Sequence, residues 1–209
     1  MKAKTLLIAA AALAATVISS EAQVYSANIV GYVNVVYPAG AYTLVSNPLD
    51  DGTNTTTSLG ASLANKSIIQ VWNGSGFTVA NKASGVWSPD LSIPVGAGFF
   101  VNSKTAITNT FVGNVVPNTG LYTTNSLPIG NYVLVGSTIP YAGDLNNTNF
   151  NLGPTLANKS IIQVWNGAGY TVCNKASGVW TPNPTISVGQ GVFVSSKTAT
   201  NWVQYLPSN

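Results

Sequence analysis

Residues 63–106, LANKSIIQVWNGSGFTVANKASGVWSPDLSIPVGAGFFVNSKTA, return as residues 156–199, with 33 of 44 positions identical at a constant offset of 93. A repeat of this length and fidelity restricts the chain to architectures built from two copies of one unit. The relationship continues upstream in weaker form. Pro38, Gly40, Tyr42, Leu44 and Val45 match Pro128, Gly130, Tyr132, Leu134 and Val135 at an offset of 90, and Asp51, Asn54, Leu59 and Gly60 match Asp144, Asn147, Leu152 and Gly153 at 93. The change in offset places a three-residue insertion in the intervening loop of the second copy. Each copy therefore spans about 90 residues, close to the ~100 of a small sandwich domain.

Residues 1–22 read as a signal peptide. Lys2 and Lys4 precede an uncharged, mostly apolar run from Leu6 to Ile18, and Ser20-Glu21-Ala22 offers a small-x-small cleavage site before Gln23. The run is shorter than the ~20 apolar residues a membrane helix needs. The expected organisation is a first module over 23–116 and a second over 117–209, with the boundary at the turn-forming Pro117-Asn118-Thr119-Gly120.

Beyond Ala22 the chain has six lysines, four aspartates and no Arg, His or Glu. Isolated lysines form no basic stripe, and without arginine there is no bidentate reader of phosphate or guanine, which excludes nucleic acid as the expected partner. The missing His and Glu also remove the Ser-His and Cys-His pairs and the usual zinc ligands. No paired carboxylates suited to hydrolysis recur, so catalysis is not expected. Gly96-x-Gly98 precedes a strand rather than a helix and reads as a tight turn, not a nucleotide loop. The single cysteine, Cys173, replaces Ala80 of the first copy and reads as a small buried side chain.

Short segments rich in Val, Ile, Tyr, Phe and Thr, separated by turn residues, predict strands over 29–37, 42–46, 68–73, 77–81, 98–102 and 109–116. Asn73-Gly74-Ser75-Gly76 and its counterpart Asn166-Gly167-Ala168-Gly169 predict hairpin turns. Leu59 and Leu63, with Ser58 before them, predict one helical turn, repeated at Leu152 and Leu156 and kept short by Pro154. The fold class is all-β: two tandem antiparallel β-sandwich modules, Ig-like or jelly-roll-like, related by internal duplication.

The order Tyr42-Thr43-Leu44-Val45-Ser46-Asn47-Pro48, then Val71-Trp72-Asn73-Gly74-Ser75-Gly76-Phe77, then Ile93-Pro94-Val95-Gly96-Ala97-Gly98-Phe99-Phe100-Val101 resembles secreted β-sandwich repeat modules in surface proteins of environmental Gram-negative bacteria. Those modules carry W-N-G-x-G-[FY] followed by G-x-G-[FV]-F-V, and the likeness covers both copies. The second copy departs from it at Gly136-Ser137-Thr138, which lacks Asn-Pro, and at Ser187, which replaces Pro94. The resemblance implies the fold and an exported location, and no activity.

Two candidate sites follow. Asp50, Asp51 and Asn54, with Asp144 as a partial echo, form the one oxygen-rich loop and are the calcium candidates, although Asp and Asn serve commonly as turn acceptors. Trp72, Phe77 and Trp87, matched by Trp165, Tyr170 and Trp180, are candidates for an aromatic platform on which sugar rings would stack, although tryptophans in such strands more commonly belong to the core. Strand alternation puts Trp72 on the face opposite Ile69 and Val71, the face that also carries Gln70. Charged residues make up only 6% of the chain where ~25% is ordinary, so the strands have few of the lysines that discourage edge pairing. The expectation is a secreted, non-catalytic cell-envelope or extracellular-matrix protein acting by adhesion or self-assembly, with other copies or cell-surface proteins as partners. The alternative is a tandem carbohydrate-binding module pair.

Overall fold

The computed structural model describes residues 30–116 and 122–206. The segment read as a signal peptide and the turn at 117–120 lie outside the described residues. The chain is all-β and antiparallel throughout its sheets, in two modules.

In the first module strands β1 (Val30–Tyr37) and β7 (Ile107–Asn114) pair along eight residues. The others, β2 (Tyr42–Ser46), β3 (Ile68–Trp72), β4 (Phe77–Ala83), β5 (Val86–Ser88) and β6 (Gly98–Asn102), form a five-stranded sheet in the order β2-β6-β3-β4-β5. Its inner residues Val45, Ile69, Ala80, Trp87, Phe99 and Val101 pack against Val33, Tyr37 and Phe111 of the β1/β7 pair. The core lies between the two layers, and a one-turn helix α1 (Thr56–Leu59) adds Leu59 to it. Thr55 and Ser58 cap that turn reciprocally, so its start is fixed locally.

The second module repeats this plan. Strands β8 (Tyr122–Leu127) and β16 (Thr200–Tyr205) pair with each other. The equivalents of the five-stranded sheet are β9 (Tyr132–Gly136), β11 (Ile161–Trp165), β12 (Tyr170–Ala176), β13 (Val179–Thr181) and β15 (Gly191–Ser195). A further short pair, β10 (Gly143–Asp144) with β14 (Thr185–Ile186), is present here. The helical turn α2 (Leu152–Thr155) starts where its counterpart ends, after the left-handed Asn151. That shift has a consequence in the core: Trp87 Nε1 donates to the Gly60 carbonyl at 3.1 Å, whereas Trp180 Nε1 finds no partner among the described residues.

The copies also satisfy one buried position differently. In the first, Asn47 donates to Asn54 and to the Ile93 carbonyl while accepting from Leu49 N. The second has Ser137 there, and buried Gln204, standing where the first copy has Phe111, takes over: its Oε1 accepts from Thr138 N and Oγ1, and its Nε2 donates to Ser137. Buried polar groups must find partners, so the loss of Asn-Pro came with a second change about 70 residues away in sequence.

The modules dock through reciprocal contacts. Ser46 N donates to the Gly189 carbonyl and Gly136 N to the Gly96 carbonyl, both at 2.9 Å. Residue i meeting j while the repeat of j meets the repeat of i is the signature of an isologous, two-fold interface. Here it joins two halves of one chain. The G-x-G repeat makes the approach feasible. Gly96 and Gly189 adopt the left-handed backbone (φ +81 and +74), and a Cβ on Gly98 would lie 2.6 Å from Leu134 Cγ.

Cys173 is fully buried on β12, at the inward position held by Ala80 in the first copy. Burial pushes its thiol up from 9.0 to about 11. Between those values the unfolded chain ionises and the native chain does not, so the native state binds more protons and stability falls as pH rises from 9 to 11. The Cys173→Ala variant removes this slope, an effect of at most ~2–3 kcal/mol at about 1.4 kcal/mol per pKa unit. Lys175, lowered by burial, acts in the opposite direction below pH 10.5, and Tyr37, raised mainly by burial, continues the fall above pH 10. The difference between variant and parent denaturation midpoints isolates the thiol, and an unchanged pH profile would refute the assignment.

Candidate functional site

The outer faces of the two five-stranded sheets are not solvent surfaces where they meet. Leu44 and Phe100 of the first module pack against Leu134 and Phe193 of the second, with Tyr42, Trp72, Tyr132 and Trp165 around them. Trp72 Nε1 donates to the Tyr132 carbonyl and Trp165 Nε1 to the Tyr42 carbonyl, each at 2.9 Å. Edge-to-face contacts continue the seam, with Trp72–Phe193 centroids at 5.3 Å and Phe100–Trp165 at 5.4 Å. Gln70 and Gln163 brace it by donating to the hydroxyls of Tyr42 and Tyr132.

This geometry decides between the core and platform alternatives for the tryptophans. Trp87 and Trp180 are core residues, 3% and 2% exposed, because their strands turn them onto the inner face. Trp72 and Trp165 do lie on the face that alternation assigns them, but the other module covers that face and occupies their indole N–H groups. Only Phe77 and Tyr170 keep more than a third of their surface, at 38% and 39%. Sequence reading missed Tyr42, Phe100, Phe193 and their companions. The signal for them is the adjacent apolar pairs Leu44-Val45 and Phe99-Phe100, which alternate faces and so require burial on both.

Of the calcium candidates, Asp50, Asp51 and Asn54 meet in one loop but are hydrogen-bonded to one another and to the loop backbone, and Asp144 lies apart from them. Asp50 accepts from Gly52 N and Asn54 Nδ2, and Asp51 accepts from Thr53 N, Thr53 Oγ1 and Asn54 N. Partial burial pushes the Asp51 carboxyl up, and hydrogen bonds from Ser58, Asn54 and Thr53 outweigh it and hold it below the usual value. Asp144 sits in the other module, accepting from Asn146 N and Asn183 Nδ2. Among the described residues no three His, Cys, Asp or Glu side chains are grouped to hold a metal ion. These carboxylates work as turn acceptors.

Two lysines prove structural. Lys82 and Lys175, only 7% and 8% exposed, point inward beside Ala80 and Cys173 and cap the short helical turns. Lys82 Nζ donates to the carbonyls of Gly60 and Ala61. Lys175 Nζ donates to those of Gly153, Pro154 and Leu156 at 2.8, 3.4 and 2.6 Å. A cation at a helix C-terminus answers carbonyls that have no partner within the helix.

With those two withdrawn, the exposed lysines are Lys66, Lys104, Lys159 and Lys197, none of them on the paired strands β1/β7 or β8/β16. The outer face of β1/β7 instead presents Val30, Tyr32, Val36 and Val112, each 57–75% exposed. Tyr32 stands directly opposite Val112. The matching pair β8/β16 exposes Tyr122 and Tyr205, whose ring centroids lie 5.9 Å apart. Among the described residues β1 pairs along its length with β7 alone, leaving its other edge free of ladder partners.

No protein-family model, no curated protein and no solved structure matches this chain. No helix among the described residues is long and apolar enough to cross a membrane.

Proposed function

We propose that the chain is an exported, non-catalytic protein of the cell envelope or extracellular matrix that works by self-association. The observation that carries this reading is the uncharged β1/β7 face, where Val30, Tyr32, Val36 and Val112 stand exposed together beside an unpaired strand edge. Proteins that stay monomeric protect such edges with lysine, proline, bulges or short strands. Here the eight-residue β1 has none of the first two, while the short β5 and β13 are three residues each. Export is supported by the basic, then apolar N-terminal sequence. The absence of His, Arg and Glu beyond Ala22, with Asp50, Asp51 and Asp144 accepting in turns and Asp90 accepting from Thr56 and Thr57 at the start of α1, supports a role without acid-base chemistry.

Light scattering and electron microscopy on residues 23–209 test this. The parent chain is expected to form oligomers or fibres at tens of micromolar. Tyr32→Lys/Val112→Glu, which sets opposite charges across one exposed pair and so keeps the sheet paired, is expected to be monomeric with unchanged thermal stability. A strictly monomeric parent at high concentration would overturn the proposal.

A further inference from the structure

We infer that the junction between the modules holds one binding site for a neutral saccharide. A cleft of about 450 Å³ opens between β1, the Tyr42 end of β2, the Asn166 turn and the turn before β15, a volume within the ~300–1,000 Å³ range of small-molecule sites. Every residue lining it is uncharged. A phosphate, carboxylate or ammonium ligand would find no counter-charge there, so the chemistry selects a neutral one.

The polar groups narrow the class further. Three side-chain amides border the cleft: Asn34, Asn166 and Gln190. Each is hydrogen-bonded within the protein. Asn34 Oδ1 accepts from Thr110 Oγ1 at 2.7 Å, Asn166 Oδ1 from the backbone N–H groups of Ala168 and Gly169 at 3.0 and 2.9 Å, and Gln190 Oε1 from Ser187 N at 2.9 Å. The backbone N–H groups that hold Asn166 and Gln190 can only donate, so the orientation of those two amides is set, whereas the Thr110 hydroxyl beside Asn34 can give or take the bond. The NH2 groups of Asn166 and Gln190 make no hydrogen bond among the described residues and remain as donors, and Asn34 offers whichever end of its amide Thr110 leaves free. Beside them lie half-buried Tyr42 and Trp165, with the Trp165 indole N–H already given to the Tyr42 carbonyl, so these rings contribute apolar surface. Donors around an aromatic pair suit a ring with hydroxyl and ether oxygens at its rim and C–H groups on its face.

The duplication supplies an internal comparison. At the equivalent place in the other half, Tyr132, Trp72 and Asn73 are retained, but Thr124 stands for Asn34, Ala97 for Gln190 and Pro94 for Ser187. The fold's approximate two-fold axis would give two clefts, yet only one carries all three amides. The site is therefore single per chain and set by the junction, unlike a pair of tandem aromatic platforms.

The cleft borders the proposed self-association face, since Asn34 and Val36 share the outer face of β1 with Tyr32, so binding is measured both on the dilute parent chain and in the Tyr32→Lys/Val112→Glu background, and the two must agree. Chitohexaose, cellohexaose and maltohexaose are titrated into residues 23–209 labelled with ¹⁵N, following the side-chain NH2 signals of Asn34, Asn166 and Gln190. At least one probe is expected to shift these signals and the Trp165 indole saturably. The exchange Asn34→Thr/Gln190→Ala, which installs the residues of the other half, is expected to weaken that probe at least tenfold without moving the thermal midpoint. No saturable shift at the cleft with any probe overturns the inference. So does undiminished affinity in the exchanged variant, or tighter binding of an uncharged glycine-serine hexapeptide than of every sugar.

Discussion

Replacing Trp72 and Trp165 together by alanine is expected to lower stability by ~4–6 kcal/mol. Full truncation of a buried aromatic costs ~3–5 kcal/mol, and about half of that is appropriate to each half-buried indole. To this is added the loss of an indole N–H bond to a carbonyl of the opposite module, which leaves Tyr132 O and Tyr42 O short of a donor. For a chain of this length ~1 kcal/mol moves the midpoint by about 2–4 °C, so the double variant should melt roughly 10–20 °C lower. Trp72 meets Phe193 and Trp165 meets Phe100 within one packed cluster, so the effects of the two substitutions should not add. A solvent-exposed platform would behave differently, with truncation leaving the midpoint almost unchanged. Calorimetry of the single and double variants separates the two cases. If the seam is broken before the cores, the double variant should also show two transitions in place of one.

The buried lysines give the second large effect, and an asymmetric one. Lys175→Met keeps the length of the side chain and removes its donors. It strands the carbonyls of Pro154 and Leu156, for which Lys175 is the donor the structure provides. Each unsatisfied buried carbonyl costs about 1–3 kcal/mol. Burial also lowers the Lys175 pKa, so the ammonium carries a desolvation cost that the variant recovers, and a net loss of ~2–3 kcal/mol is expected. In the first module Gly60 O retains Trp87 Nε1 and Leu63 N, and Lys82→Met strands Ala61 O alone. Its cost should be near ~1 kcal/mol. Lys104→Met, on an exposed side chain, should fall within about 0.5 kcal/mol of the parent. Equal effects from all three in denaturant titrations would refute the capping role.

Much of the fold is legible in the residues. The strands at 42–46 and 98–102 match their expected limits, and the hairpin at Asn73-Gly74-Ser75-Gly76 forms with Asn73 Oδ1 accepting from Ser75 and Gly76. Strands β5 and β13 escape the sequence reading because three residues are too few to show alternation, and the tryptophans in them then look free. The inward lysines had a signal. Two residues after Ala80 on the same strand lies the same face, and period-two alternation assigns Lys82 to the core whatever its charge.

The candidate sites were less legible, for a different reason. Residue type marks Trp72 and Asp51 as able to stack on a sugar or bind a cation, but availability depends on what else reaches them. Asp51 is engaged by neighbours a few residues away, and that much is local turn chemistry. Trp72 is engaged by Tyr132, 60 residues distant, in another copy of the same module. Asn34 and Asn166 reach one cleft across a still longer separation in sequence.

By itself, then, the sequence determined the repeat, the all-β class, the strand parity and the scarcity of charge, since each follows from periodicity and side-chain type along a short stretch. Only the tertiary structure decided that the two copies close face to face about a two-fold axis. That arrangement buries the outer aromatics and builds a cleft from both halves. An interface depends on the shape and register of two surfaces at once, and local pattern carries no record of which face will meet which.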